Sequence, residues 1–141
     1  MVTPNVEISH RIEFSASHRL HADALSEAEN ERIFGACHNT HGHNYELEVT
    51  VAGPVDPRTG MVMNLVDLMG ILREKIHGRV DHRHLNDDQE LLLGRVPTAE
   101  TLVIAFWNEL EPEIRGFETC RLVRMRLWES RSNMVEYRGP A

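Results

Sequence analysis

Two stretches of the chain alternate between apolar and polar residues, and each predicts a long strand. In residues 6–18 the even positions are apolar or histidine and the odd positions are polar or charged. In residues 41–51 the odd positions carry the apolar and histidine side chains. A period of two is typical of a strand with one buried face. If the strands pair antiparallel, the end of the first lies beside the start of the second.

A short helix is predicted between these strands, and a long helix is predicted after them. Ser26 and Glu29 form a capping-box pattern that begins a helix running to about Phe34. Asn64 is placed to cap a long helix, and residues 77–78 are placed to close it. The apolar stripe of this helix follows helical spacing and consists of Leu65, Leu68, Met69, Leu72 and Ile76.

A second long helix is predicted in the last third of the chain. It begins at Thr98, the expected N-cap after Pro97, and ends between Pro112 and Gly116. The side chains expected to face the core are Leu102, Ala105, Phe106 and Leu110. Residues 80–88 lie between the two long helices and are dense in ionisable groups, so they predict a polar loop.

Three further strands complete the prediction. Turn residues at 54–60 favour a short hairpin partner over residues 61–63. Residues 121–129 and 134–138 predict two more strands, and the first has one face made of Val123, Met125, Leu127 and Glu129. Together these elements indicate one α+β domain over residues 1–141, with an antiparallel sheet carrying helices on one face. A sheet covered by helices on only one face has an exposed edge or face, so we expect a partner subunit to pack there.

Length and charge narrow the class of protein. A chain of 141 residues holds one domain with a real core. Its net charge of −7 argues against nucleic acid or an anionic membrane as the main partner, although an anionic small molecule remains compatible. The two cysteines are far apart, no signal peptide opens the sequence, and no apolar run approaches the ~18–20 residues that span a bilayer. We therefore expect a cytoplasmic protein.

Three histidines at the junction of the two long strands form a candidate metal site. His41 and His43 are two residues apart and share the buried face of the second strand, and His18 ends the first strand on the same face. Three neutral imidazoles with a free fourth position are typical of zinc enzymes, whereas structural zinc sites have four protein ligands. The sequence therefore predicts a zinc ion bound by these three side chains.

Other residues near this junction could carry chemistry. Cys37 lies in a polar loop four residues before His41, where nearby positive charge would favour the thiolate, a base or nucleophile. The alternatives for Cys37 are a fourth zinc ligand, which would close the site, and no chemical role. Asp81 can orient the imidazole of His82 and raise its basicity. Glu129 ends an apolar strand face, where its carboxylate either accepts two N–H donors of a guanidine-like heterocycle or faces water.

Six ordered motifs resemble those of the 6-pyruvoyl-tetrahydropterin synthase family, which also contains the 6-carboxy-tetrahydropterin synthases of queuosine biosynthesis. The motifs span nearly the whole chain and lie at residues 14–20, at Cys37 with 41–45, and at 59–65, 81–82, 97–100 and 128–129. The resemblance implies the tunnelling fold, a four-stranded antiparallel sheet with two helices on one face. It further implies that three subunits close a barrel and that two trimers stack into a homohexamer.

The resemblance also implies a reaction and a role for each site residue. A zinc-dependent lyase would convert 7,8-dihydroneopterin triphosphate to 6-pyruvoyl-tetrahydropterin and eliminate triphosphate. The zinc ligands would be His18, His41 and His43. The proton-transfer group would be Cys37, as the proton acceptor, with Asp81 and His82 donated by a neighbouring subunit. The residues binding the pterin ring would be Glu129, helped by Thr98 and Glu100.

The branch within the family rests on fewer residues. The short spacing from Cys37 to His41, together with residues 85–87, matches the queuosine branch, in which the product is 6-carboxy-tetrahydropterin and acetaldehyde is released. Residues 25–30 and 59–65 are similar to the animal pyruvoyl enzymes, and we favour the pyruvoyl product. Two further alternatives are a non-catalytic zinc- or pterin-binding protein of the same fold and hydrolysis of the triphosphate by zinc-bound water.

Overall fold

The computed structural model of the protein describes residues 3–141. The strands are β1 (Asn5–His18), β2 (His41–Pro54), β3 (Arg83–His84), β4 (Arg121–Trp128) and β5 (Met134–Tyr137). The helices are α1 (Glu27–Phe34), α2 (Leu65–Leu72), α3 (Gly78–Val80), α4 (Gln89–Leu92) and α5 (Ala99–Arg115). The strands form one sheet in the order β3-β1-β2-β4-β5, and α2 and α5 pack on one of its faces. The mixed α+β class predicted from the sequence is confirmed.

The antiparallel pair β1–β2 forms the centre of the sheet, in the register that the alternation predicts. His18 lies opposite His41 and Phe14 lies opposite Tyr45. The rings of Phe14 and Tyr45 stack with centroids 4.9 Å apart, and Phe106 of α5 packs edge-on against Phe14 at 5.8 Å. Because strand side chains alternate, this register buries Phe14 and Ala16 of β1 together with Tyr45, Leu47 and Val49 of β2.

The opposite face of the sheet is charged. Arg11 of β1 donates to Glu48 of β2 at 3.0 Å, and Arg126 of β4 donates to Glu136 of β5 at 2.7 Å. The Arg11 guanidinium also lies 4.4 Å above the centre of the Trp128 ring. These cross-strand pairs link neighbouring strands and leave this face polar.

The predicted helix caps are confirmed. Ser26 and Glu29 form both hydrogen bonds of a capping box at α1, and the Asn64 side chain accepts the Val66 N–H at the start of α2. The Thr98 hydroxyl accepts the Thr101 N–H at 3.2 Å and begins α5. Side-chain oxygens at these positions accept N–H groups that the first helical turn leaves unpaired.

Two predictions for the segment that begins with α2 are wrong. Leu65 and Met69 are exposed, with 43% and 37% of their surface accessible, rather than part of the core stripe. The helical segment also continues past residues 77–78 to Val80 through a π-helical turn, Arg73–His77. The buried residues recur every four positions. In a regular helix of 3.6 residues per turn, such a repeat would gradually turn away from the sheet, whereas the wider π turn keeps these side chains on one face. They are Leu68, Leu72, Ile76 and Val80.

The predicted hairpin partner over residues 61–63 is not a strand. These residues form a bend, and the Asp56 N–H donates to the Met61 carbonyl at 3.0 Å. Val62 and Met63 are nevertheless buried, with 8% and 7% of their surface accessible. Their apolar character reflects packing under the sheet end rather than strand pairing.

The sheet has five strands, whereas the resemblance implies four. Residues 83–84, expected in a polar loop, form β3, which pairs parallel to Ala16 and Ser17 of β1. The His82 N–H also donates to the Ser15 carbonyl at 2.6 Å. A two-residue strand is too short for a periodic pattern, so no alternation could have identified it.

One residue of β4 was predicted on the wrong face of the strand. A bulge between Thr50 and Val51 shifts the β2–β4 register, so that Leu122 pairs with Val51 and Arg124 pairs with Thr50. Leu122 is therefore buried in place of the predicted Val123, which is only half-buried. A bulge adds one unpaired residue and reverses the alternation beyond it.

We expect the replacement of Asn30 by alanine to destabilise the segment that leads to the site. Asn30 is fully buried, and its side chain accepts the Ala22 N–H at 2.8 Å and donates to the carbonyls of Ala22 and Ser26. Alanine would leave these backbone groups unpaired and lower the free energy of unfolding by about 2–4 kcal/mol. Urea denaturation would measure the change. Ser26→Ala, which removes an exposed cap, should cost only about 1 kcal/mol.

Candidate functional site

The three predicted ligands converge at one end of the β1–β2 pair. One nitrogen from each of His18, His41 and His43 lies within 4.8 Å of the other two. His18 is 1% exposed, and the other two rings are partly accessible. The antiparallel register produces this cluster, because it places the last residue of β1 opposite the first residue of β2 on the same face.

Hydrogen bonds to backbone carbonyls orient two of the three rings. Nδ1 of His18 lies 2.8 Å from the Pro97 carbonyl oxygen, and Nδ1 of His41 lies 2.7 Å from that of Asn39. A carbonyl oxygen only accepts, so each ring donates its Nδ1–H and, when neutral, has a lone pair on Nε2. Such carbonyl partners are typical of metal-binding histidines.

The nitrogen atoms of the cluster fit a bound cation. The Nε2 atoms of His18 and His41 lie 3.0 Å apart, and neither carries a proton in the neutral rings just described. Among residues 3–141, the buried Nε2 of His43 has no hydrogen-bond partner. Tetrahedral zinc with Zn–N bonds of about 2.0–2.1 Å holds its nitrogens roughly 3.3–3.4 Å apart, close to the spacing here. A zinc ion would therefore use lone pairs that the protein itself leaves unmatched.

Burial favours the protonation state that a metal requires in two of the three histidines. Removal from water lowers the pKa of His18 and that of His43. Imidazoles bind metals only in the neutral form, so a lowered pKa favours coordination at neutral pH.

The three residues predicted to bind the pterin ring line one pocket beside the histidines. This pocket has a volume of about 450 Å³ and is lined by Thr98, Glu100 and Glu129, together with the turn before β5. Glu129 Oε1 lies 3.7 Å from His43 Nε2, which connects the pocket to the metal cluster. The end of β4 and the start of α5 thus place a carboxylate and a hydroxyl next to the candidate metal position.

Cys37 lies in a neighbouring turn and does not join the histidine cluster. It is exposed, in the 3-10 turn Gly35–His38 that follows α1. Its carbonyl oxygen accepts the Leu20 N–H at 2.9 Å, which ties the turn to the chain just after His18. The grouping of three histidines without Cys37 favours an open metal site over a closed structural one.

Asp81 and His82 form a hydrogen-bonded pair at the edge of the sheet, next to β1. Asp81 Oδ2 lies 2.8 Å from His82 Nδ1, and its Oδ1 accepts the Ser15 N–H at 3.0 Å. The imidazole of His82 is 82% exposed, and its backbone has a φ of 59°, a left-handed conformation uncommon outside glycine. His82 lines a different pocket from Glu129, one formed with Ser15, Ser17 and Asn44.

Asp81 should contribute a pH-dependent component to stability. The Ser15 N–H and then the His82 imidazole hold the pKa of the Asp81 carboxyl below its usual range. Because the folded state has the lower pKa, the stabilisation is complete above the unfolded pKa of about 3.9 and is lost as pH falls through the folded value. The stability difference between wild type and Asp81→Asn should therefore shrink on acidification below about pH 4. Urea denaturation of both proteins across this range would measure it, and a pH-independent difference would contradict it.

A second cluster of His21, Glu27 and His38 was not predicted from the sequence. Their ligand atoms also lie within 4.8 Å of one another, and the two rings stack 5.3 Å apart. However, Nδ1 of His38 faces the Leu20 carbonyl at 3.2 Å, and its Nε2 lies 2.8 Å from a guanidinium nitrogen of Arg19. The same Nε2 lies 2.9 Å from Glu27 Oε1, so both ring nitrogens already have polar partners, and the guanidinium charge opposes a metal ion there. We interpret this cluster as a hydrogen-bond network.

Comparison with known proteins decides the family. A family model described as 6-pyruvoyl tetrahydropterin synthase matches residues 7–140. The chain belongs to that family. The 6-pyruvoyl tetrahydrobiopterin synthase of Dictyostelium discoideum is 43% identical over 134 residues, which cover 95% of this chain and 96% of the relative. The prediction made from six motifs is confirmed.

A solved structure matches the fold, and relatives from both branches of the family are known. A solved structure of Caenorhabditis elegans 6-pyruvoyl tetrahydropterin synthase matches with a TM-score of 0.90 at 36% identity, covering 99% of this chain and 100% of that one. The 6-carboxy-5,6,7,8-tetrahydropterin synthase of Rickettsia typhi is 25% identical over 146 residues, 93% of this chain and 99% of the relative. The similarity to named pyruvoyl synthases is therefore much higher than to this carboxy synthase. Among residues 3–141, no helix is both long and apolar enough to cross a membrane.

Proposed function

We propose that the protein is a zinc-dependent lyase that converts 7,8-dihydroneopterin triphosphate to 6-pyruvoyl-tetrahydropterin with release of triphosphate. The observation that carries this proposal is the convergence of three histidines beside the Glu129 pocket, in a chain 43% identical to a 6-pyruvoyl tetrahydrobiopterin synthase. The lower identity to the carboxy synthase makes that branch the second choice.

Glu129 is suited to orient the pterin ring. Its side chain is 28% exposed, and its carboxylate opens into the 450 Å³ pocket, within the range of about 300–1,000 Å³ usual for small-molecule sites. An aminopyrimidine presents two parallel N–H donors, which a carboxylate accepts in the bidentate geometry known from arginine pairs. Thr98 and Glu100 lie at the N-terminus of α5 on the pocket wall and would contact the same ring.

The residues that move protons are Cys37, Asp81 and His82. The three histidines would hold zinc, which would supply a Lewis acid able to acidify the side-chain hydroxyls of the substrate and polarise a carbonyl. The Cys37 thiolate accepts a proton from the substrate side chain, and triphosphate leaves by elimination. Asp81 fixes Nδ1 of His82 as a donor, so that the exposed Nε2 is free to accept or donate a proton.

The resemblance to the family supports a shared active site. His82 is 82% exposed and lines a pocket that also includes His43, whereas Glu129 lines the pocket at the start of α5, and the Asp81–His82 pair of one subunit would serve the metal site of another. The sheet ends in the short edge strands β3 and β5, whose outer edges can pair with neighbouring copies. We propose a barrel closed by three subunits and a homohexamer of two stacked trimers, located in the cytoplasm.

Product analysis tests the proposal. Zinc-loaded protein would be incubated with 7,8-dihydroneopterin triphosphate and the products identified by mass spectrometry. The expected products are 6-pyruvoyl-tetrahydropterin and triphosphate. Formation of 6-carboxy-tetrahydropterin with acetaldehyde would assign the chain to the other branch. Absence of turnover by a zinc-loaded hexamer would support a non-catalytic pterin-binding protein.

A further inference from the structure

Arg19, the residue after the proposed ligand His18, is held in place through both its backbone N–H and its backbone carbonyl. The backbone of Arg19 forms two hydrogen bonds with the Asn86 side chain, one from its N–H to Oδ1 and one from Nδ2 to its carbonyl, both at 2.8 Å. This pair joins the end of β1 to the segment that follows β3. Arg19 therefore has a fixed backbone directly beside His18.

From this position, the Arg19 side chain reaches across to the turn that contains Cys37. Its Nε donates to the His38 carbonyl oxygen at 2.7 Å, and its Nη2 lies 2.8 Å from His38 Nε2. One guanidinium thus binds both the backbone and the ring of the residue after Cys37. A planar fork that makes two bonds in fixed directions defines position more tightly than one flexible contact.

Two more bonds extend this contact to Cys37 itself. The Leu20 N–H donates to the Cys37 carbonyl at 2.9 Å, and the His38 Nδ1–H donates to the Leu20 carbonyl at 3.2 Å. His38 is buried, with 7% of its surface accessible. Residues 19–20 and residues 37–38 are therefore hydrogen-bonded to each other. The first pair directly follows the proposed ligand His18, and the second pair contains the exposed thiol of Cys37.

Glu27 of α1 also contacts these residues. Its Oε1 lies 2.9 Å from His38 Nε2 and 3.8 Å from the Arg19 guanidinium. His38 Nε2 thus has both a donor, the Arg19 guanidinium, and an acceptor, the Glu27 carboxylate, within hydrogen-bond distance, and the carboxylate balances the charge of Arg19. The first turn of α1 is thereby attached to the same residues.

We propose that Arg19 is a positioning residue that fixes the Cys37 thiol relative to the zinc centre by holding His38. This inference rests on the proposed function, in which Cys37 accepts a proton from a zinc-bound substrate. A misplacement of about 1 Å can cost roughly 100-fold in rate, so loss of the fork should lower kcat more than it raises KM. Arg19 itself need not touch the substrate.

The test measures how strongly zinc influences the reactivity of Cys37. The rate of alkylation by iodoacetamide is determined for zinc-loaded and zinc-free protein, with Cys37 and Cys120 followed separately by mass spectrometry. In the wild type, the nearby zinc charge should accelerate Cys37 alkylation by at least about fivefold. Burial raises the pKa of the Cys120 thiol, which makes this slow thiol an internal reference.

The variants separate the forked contact from the charge. In Arg19→Gln the zinc effect on Cys37 should fall to within about twofold of none, and kcat should fall at least about 10-fold with KM within about twofold. Arg19→Lys keeps the charge without the fork and should behave in the same way, and it also serves if the glutamine variant does not fold. Arg58→Gln removes an equivalent Nε and Nη2 fork to Asp56 and should retain the wild-type values.

The possible failures are distinguishable. A zinc effect retained in both Arg19 variants would overturn the positioning role and leave the proposed function intact. Absence of any zinc effect in the wild type would overturn the role of Cys37 beside the metal, and this inference with it. A loss of zinc from the Arg19 variants would also overturn the inference, because Arg19 would then act through His18 instead of Cys37.

Discussion

Replacement of Cys37 by alanine should lower kcat by about 10²–10⁴-fold, the usual contribution of a positioned proton-transfer group. The thiol is exposed in a turn that is bonded to the residues after His18, and it lies outside the histidine cluster. Its removal should therefore stop proton transfer without releasing the metal. Steady-state kinetics with 7,8-dihydroneopterin triphosphate and zinc analysis of the purified variant would measure the two effects.

The matched control for this variant is the other cysteine. Cys120 is half-buried just before β4, and Cys120→Ala should retain near-wild-type kcat. Triphosphate release that remains within about threefold of wild type in Cys37→Ala would contradict the proposed role, since hydrolysis by zinc-bound water needs no thiol. Loss of zinc from Cys37→Ala would instead identify the thiol as a ligand.

Replacement of His43 by alanine should abolish both zinc retention and turnover. Nε2 of His43 is buried without a hydrogen-bond partner among residues 3–141, so a metal ion is the partner that this nitrogen fits. Loss of an outer-shell partner typically weakens metal binding 10–100-fold, and loss of one of only three ligands should exceed that. Zinc content after dialysis against a weak chelator should fall from about one ion per chain to less than about 0.1.

His10→Ala is the matched control for the metal site. His10 lies on β1, pairs with Val49 and is outside both histidine clusters, so this variant should bind one zinc ion and turn over normally. If His43→Ala keeps a full zinc ion, the proposed ligand set is wrong. If zinc is lost but product still forms, the metal is not required for the reaction.

Much of the site was predictable because it depends on strand periodicity. The alternation in residues 6–18 and 41–51 fixed which side chains share a face, and the antiparallel pairing then placed His18 opposite His41. Glu129, Thr98 and Glu100 were identified through the family motifs, and the structure places all three on one pocket. Each of these features depends on local pattern or on a single pairing of neighbouring strands.

Other features had no periodic signal. The two-residue strand β3 exists because His82 and the following residues reach β1, a contact between residues 66 or more positions apart. The apolar residues 61–63 gave a misleading strand pattern, since their burial comes from packing rather than pairing. The network around His38 involves Arg19, Glu27 and Leu20, and their spacing in sequence matches no motif.

The sequence by itself determined the class of fold, the face and register of the central strands, the helix caps and the three histidines at one sheet end. These depend on side-chain periodicity and on capping chemistry, which act over a few residues. Only the tertiary structure decided which nitrogens are left without a partner, that Cys37 stands apart from the metal ligands, and that Arg19 joins His18 to the Cys37 turn. Those properties depend on distances between segments far apart in the chain, which packing of the whole domain sets.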